Sequence, residues 1–236
     1  ANPSLMEKSD QGELPVIASD GNRAWRYYAR PYTQQEKKPM IAIIITGLGH
    51  NKAVSDHAVR MDGNITLSFS PYARDVTQWG ASARLTGHEV MIDLPLEPVN
   101  YPAADPGPYG LLVEKGAQEN EARLRWLMAR INTSVGFITP FNEKFSANTE
   151  SFKLLLQSLA NRGLMLALSR EPSRDETKET LNGTTTPNVV ADMLVDEELS
   201  QTAIQTRLNA LEQLAAKRGY AVGVAQAYPL TIDQLN

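Results

Sequence analysis

Seven short apolar runs recur along the chain: Ile41–Ile45, Ile65–Phe69, Val90–Leu94, Val135–Ile138, Leu164–Leu168, Val189–Leu194 and Ala221–Ala225. Most are unbroken rather than alternating, the pattern of strands buried on both faces. Amphipathic stretches at 51–61, 74–86, 117–132, 147–162 and 199–218 separate them. In the last of these, Ile204, Leu208, Leu211 and Leu214 fall on one helical face. Gly163 and Gly219 each close a helix and lead directly into the next strand. Strand and helix in alternation predict a parallel sheet with right-handed crossovers. Both an open doubly wound sheet and a closed barrel fit this count, and a barrel would carry its site at the C-terminal ends of the strands.

Residues 1–39 break the pattern. They are polar, are punctuated by Pro3, Pro15, Pro31 and Pro39, and hold one aromatic group, Trp25, Tyr27, Tyr28 and Tyr32. This reads as an arm laid across a single domain of residues 40–236. With 236 residues, 42% of them hydrophobic, the chain can bury a core without disulfides or metal. A net charge of −4 argues against broad contact with nucleic acid. The absence of cysteine excludes thiolate zinc sites and thiol nucleophiles. No run approaches the length of a bilayer span, and Ala1 opens a polar stretch rather than a signal peptide.

Candidate chemistry clusters after the predicted strands. Thr46-Gly47-Leu48-Gly49-His50-Asn51 follows the first run. It lacks the third glycine of a dinucleotide fingerprint and the Gly-Lys of a P-loop, so its glycines read as a tight turn. The third run ends in Asp93-Leu94-Pro95-Leu96-Glu97-Pro98. Period-two alternation puts Asp93 and Glu97 on one side, where two carboxylates can hold a divalent cation or act as acid and base. Of the three histidines, His57 lies within a predicted helix and His88 opens a strand away from the mouth. His50 alone is placed to join the carboxylates. The loop 98–112, rich in Pro, Gly and Tyr, reads as a lid or binding wall, with Tyr72, Tyr101 and Tyr109 as stacking faces for a sugar ring. The charged run 170–180 reads as a solvated connector. No Gly-x-Ser-x-Gly elbow is present.

Four segments in order, Ile41 to Gly49, Ser68-Phe69-Ser70-Pro71-Tyr72, Gly87 to Pro98, and Asp105-Pro106-Gly107-Pro108, resemble the divergent polysaccharide deacetylases. The likeness runs from Glu7-Lys8-Ser9-Asp10 to Pro229-Leu230-Thr231-Ile232. It implies a distorted (β/α)7 barrel related to the NodB-type enzymes, which deacetylate amino sugars with a cation held by one Asp and two His, a second Asp as base and a late His as acid. Against that pattern the two aspartates become Thr46-Gly47, and the two metal histidines fall on Asp93 and Glu97. The third motif becomes Thr139-Pro140-Phe141-Asn142, the fifth-strand aspartate Leu168, and the late His-Pro pair Gln226-Ala227. The resemblance therefore implies a cell-envelope or periplasmic domain, with any anchor lying outside this chain. The partners implied are a glycan or a wall-associated protein. Asp93, Glu97 and His50 are the candidates for an altered divalent-cation site, with Asp93 and Glu97 also the catalytic candidates. Thr46, Tyr72, Tyr101, Asp105, Tyr109, Thr139 and Gln226 are the candidates for substrate contact. The expected role is glycan or partner binding by a scaffold that has lost catalysis. The alternatives are a metal-dependent carbohydrate deacetylase with a rebuilt cation site, and a purely structural partner of wall-remodelling proteins.

Overall fold

A computed structural model describes residues 1–31, 38–139 and 143–236. Tyr32 of the aromatic group, and Pro140, Phe141 and Asn142 of the third motif, lie outside the described residues. The arm forms a hairpin, β1 (Met6–Ser9) and β2 (Gly12–Pro15), followed by the short helix α1 (Ala24–Tyr27). The barrel region then alternates β3 (Met40–Leu48), α2 (Lys52–Arg60), β4 (Thr66–Phe69), α3 (Val76–Leu85), β5 (Val90–Asp93) and α4 (Gly116–Met128). It continues with β6 (Gly136–Thr139), α5 (Glu143–Ala147), α6 (Thr149–Asn161), β7 (Met165–Leu168), α7 (Asp175–Gly183), β8 (Asn188–Val190) and β9 (Met193–Leu194). The last elements are α8 (Gln201–Arg218), β10 (Tyr220–Gln226) and α9 (Pro229–Leu235).

Among the described residues eight parallel strands form one curled sheet in the order β8-β7-β6-β5-β4-β3-β10-β9. Its two edges, β8 and β9, are consecutive in the chain with only Ala191 and Asp192 between them. The amide of Ala191 donates to the Leu168 carbonyl on one side, and those of Asp192 and Val195 donate to Val222 and Val224 on the other, at 2.8 Å each. A single bent segment thus pairs first with β7 and then with β10, and seven strand positions close into a distorted barrel. The run Val189–Leu194 is that segment. Asp192 locks the bend: its Oδ2 accepts the Val222 amide at 2.8 Å and the Arg218 guanidinium at 2.7 Å.

Strands β4 to β7 and β10 are largely buried on both sides, as their unbroken apolar runs require, whereas β3 is exposed over Met40–Ala42 and β8 and β9 are at most half-buried. All four residues of β6 are buried, as are the five inner residues of β10. Gly136 is needed where β6 meets β7, because a Cβ there would stand 2.0 Å from the Met165 carbonyl oxygen. The helix ending at Gly219 closes with that glycine in the left-handed conformation, φ 89°. The charged run after residue 170 is not a bare connector. Asp175–Gly183 is a helix whose Thr177 and Leu181 are buried, so acidic and threonine residues on its solvent face hid a short apolar stripe.

The arm lies across the N-terminal ends of the strands. The Trp25 amide donates to the carbonyl of Gly163, just before β7, and the Arg30 amide donates to Glu89, just before β5. Asn132, ahead of β6, donates to Glu13 at 2.8 Å. Leu5 and Leu14 are fully buried, and Tyr28 joins the same core.

Candidate functional site

The opposite end of the barrel is built by the residues at and after the strand C-termini. β3 slips register against β4 between Ile45 and Leu48. Gly47, in the left-handed region at φ 79°, stands at that irregularity, and its amide turns toward β5. There it donates to Asp93 Oδ2 at 2.9 Å, while Ser68 Oγ donates to Asp93 Oδ1 at 2.6 Å. Both carboxylate oxygens therefore accept from the barrel wall. Burial, the largest influence, raises the Asp93 carboxyl above its ordinary value. The Ser68 and Gly47 hydrogen bonds and the nearby His50 partly oppose that rise. Asp93 keeps some solvent exposure, yet packed protein rather than water sets its environment.

Glu97 is turned elsewhere. β5 ends at Asp93, so period-two alternation does not reach Glu97. Instead Leu96 bridges to Leu111, and the Glu97 amide donates to the Leu111 carbonyl at 2.9 Å. Its side chain, 3% exposed, accepts the Val113 amide at 2.6 Å and pairs with Lys144 Nζ at 2.5 Å. Lys144 also lies 5.6 Å from the Tyr101 ring centroid. Glu97 is the clasp that ties both ends of the 98–112 loop to α5.

That loop is ordered by its own aromatics. Tyr109 stacks flat on Trp126, with centroids 3.7 Å apart and an interplanar angle of 2°. Tyr72 lies 6.1 Å from the same indole, and its hydroxyl accepts the Tyr109 amide at 3.2 Å. Burial raises the Tyr72 phenol above its ordinary value. Asp105 Oδ1 accepts the Gly107 amide at 2.8 Å, holding the turn under Tyr72. These tyrosines hold the loop wall together by contacts with Trp126 and with one another.

Thr46 and Gln226 stand opposite each other in the β3–β10 ladder. The Thr46 hydroxyl donates to the Ala225 carbonyl at 3.3 Å, and the Gln226 amide side chain accepts from Tyr228 at 3.2 Å. Thr139 ends β6 and is buried, its carbonyl accepting the Ser169 amide at 3.1 Å. Sequence reasoning missed Asp196, two residues beyond β9. Its Oδ2 accepts the Gln226 amide and the Thr231 hydroxyl, each at 2.8 Å, and its buried Oδ1 has no partner among the described residues. The one signal for it was an acid directly after a buried run, the same signature that marked Asp93. His88 is fully buried between the carbonyls of Ile65 and Val59, and His57 sits at the surface 3.6 Å from Asp233. His50 is exposed, past the β3 bulge.

Among the described residues no three His, Asp or Glu side chains converge closely enough to hold a metal ion. Asp93 and Glu97 are instead held by different groups, Asp93 by Gly47 and Ser68 and Glu97 by Val113 and Lys144. Activation of water needs a Lewis acid and a base, and these residues do not fit the family's cation. What they offer is a wall of hydroxyl, amide and carboxylate groups suited to hydrogen bonding.

The profile of a family described as divergent polysaccharide deacetylase matches residues 43–236. The uncharacterized protein YibQ of Escherichia coli K12 is 20% identical over 195 residues, which is 83% of this chain and 60% of that protein. The chain thus spans about 60% of the length of that relative. The crystal structure of the uncharacterized protein ATU2773 from Agrobacterium tumefaciens C58 superposes with a TM-score of 0.90 at 31% identity. The match covers 95% of this chain and 91% of that one.

Proposed function

The chain belongs to the divergent polysaccharide deacetylase family, and from that premise we propose that its barrel mouth binds carbohydrate without metal-dependent hydrolysis. One observation carries the reading. The two carboxylates at the positions of the family's metal histidines are both satisfied from inside, Asp93 by Ser68 and Gly47 and Glu97 by Val113 and Lys144. Each carboxylate is held in place by different protein groups, and among the described residues no further His, Asp or Glu converges with them to complete a cation's ligand set. The mouth keeps polar groups of the kind that recognise hydroxyls. The setting we propose is the cell envelope, with a glycan as ligand; family membership supports it. No helix of the described residues is long and apolar enough to cross a membrane.

The test combines metal analysis of untagged protein with an acetate-release assay on N-acetylated and O-acetylated saccharides. Each assay is run with chelator and with added Zn²⁺, Mn²⁺, Mg²⁺ or Ca²⁺. The expected result is no stoichiometric metal, no acetate under any condition, and saccharide binding that survives chelation. Acetate release that stops with chelator and returns with a divalent ion overturns the proposal in favour of a working deacetylase. Failure to bind any saccharide, with capture of a wall-associated protein instead, also overturns it.

A further inference from the structure

Beside the mouth, between α2 and α3, lies a cavity of about 500 Å³. His50 borders it from the end of β3, Arg74 and Asp75 from the β4–α3 turn, and Gln78 and Trp79 from α3. Gly49 and His50 continue the segment whose Gly47 amide bonds Asp93, so the cavity lies on the same turn as that carboxylate.

Three features set this cavity apart. First, two of its charged groups, Arg74 and Asp75, are uncommitted. Among the described residues the side chains of Arg74 and Asp75 make no hydrogen bond or ion pair, and Asp75 caps α3 by position without a side-chain bond. Elsewhere around the mouth Asp93, Glu97 and Asp105 are all engaged by protein donors. Second, Asp75 is the one non-glycine residue in the left-handed region among the described residues, at φ 59° and ψ 28°. That conformation costs about 1 kcal/mol relative to glycine, and such residues gather where a side chain must be held for a ligand. The turn is also pressed in place, because a Cβ on Gly49 would stand 2.4 Å from Ala73 Cβ. Third, one wall is an indole. Trp79 is fixed on one side by Phe69, with centroids 6.4 Å apart. Lys52 Nζ lies over it at 5.8 Å, on a side chain 80% exposed that pairs with Asp56 at the cavity's rim.

We propose that this cavity is a subsite for one neutral pyranose ring of a glycan. A rigid aromatic wall suits the C–H face of a sugar, and a carboxylate beside a guanidinium and an amide matches adjacent hydroxyls, which both donate and accept. The charges favour a neutral ring over an acidic one. The lining carries two cations, Lys52 and Arg74, and two acids, Asp56 and Asp75, so its charges balance and a sugar carboxylate would gain no net attraction. The subsite rests on the glycan-binding reading above.

The experiment is titration of isotope-labelled protein with neutral hexose, N-acetylhexosamine and hexuronate oligomers, followed by amide and indole chemical shifts. A neutral oligomer should shift Trp79, Asp75 and Gln78, and the uronate should bind about tenfold more weakly or worse. Asp75→Gly removes the carboxylate while easing the backbone, so it should fold at least as stably as the parent yet lose about tenfold in affinity. Arg74→Ala, an exposed change, should lose a similar factor. If neutral oligomers bind the parent and these variants equally, while Thr46→Ala and Gln226→Ala abolish binding, the subsite is overturned and the glycan reading stands. Uronate binding as tight as neutral binding overturns the ligand class. No binding of any oligomer by folded protein overturns both.

Discussion

Burial lifts the Asp93 carboxyl above its ordinary range, and that direction fixes a pH dependence. An unfolded chain releases the Asp93 proton near pH 3.9, whereas the folded protein holds it to higher pH. Over that window the folded state binds more protons, so the residue's contribution to stability falls as pH rises and stays reduced above the folded value. Asp93→Asn removes the titration and keeps two partners, with Oδ1 accepting the Gly47 amide and Nδ2 donating to Ser68 Oγ. Its melting temperature should match the parent's near pH 3.5 and exceed it increasingly as pH rises past about 3.9. A melting-temperature series across pH checks this, and a constant offset would contradict it. Asp93 was legible in the sequence because it ends a buried strand within a recognisable motif. The role of Glu97 was not, because the chain leaves the strand at Asp93 and its side of the loop is set by pairing with Leu111. Arg74, Asp75 and Gln78 were invisible for a similar reason, since their convergence depends on two loops pressed together through Gly49 and Ala73.

At the scale of elements, the apolar runs were a faithful guide to strands and their spacing. They could not show that Val189–Leu194 bends between β7 and β10, because that bend is made by Asp192 hydrogen bonds far apart in sequence. The first run also overstated burial at the start of β3, where Ile41 is 42% exposed at the lower rim, next to the open Met40–Tyr220 pair. The 98–112 loop was expected to offer tyrosines to a ligand; its order comes instead from Tyr109 on Trp126 and from the Glu97 clasp. Glu97→Gln keeps an acceptor for the Val113 amide but weakens the pairing with Lys144, a change of about 1–3 kcal/mol at a buried charged hydrogen bond. The expected outcome is faster amide exchange confined to residues 98–115 and α5, with the arm and β7 unchanged. Uniform acceleration across the barrel would mean that Glu97 supports the core rather than the loop.

Across the whole molecule the two ends of the barrel carry different duties. The mouth bears the loops, the uncommitted polar groups and the cavity, whereas the arm seals the other end with Leu5 and Leu14 fully buried in the common core. An element that contributes to one continuous core should unfold with it rather than before it. Leu14→Ala leaves a cavity beneath the hairpin and removes apolar contact, which costs about 2–5 kcal/mol. If arm and barrel are one cooperative unit, that variant lowers the midpoint of a single unfolding transition seen alike by arm and barrel probes. Saccharide binding at the mouth, measured below that midpoint, stays at the parent value because Leu14 belongs to the hairpin that bonds at the strand N-termini, the end opposite the mouth. An arm that merely adheres would behave differently, its amides exchanging early while the barrel kept the parent's melting temperature. Thermal unfolding followed by circular dichroism, paired with residue-resolved hydrogen exchange, separates the two. The single shifted transition is expected, because Glu7, Glu13 and the Trp25 and Arg30 amides all bond to barrel residues beside the strand N-termini.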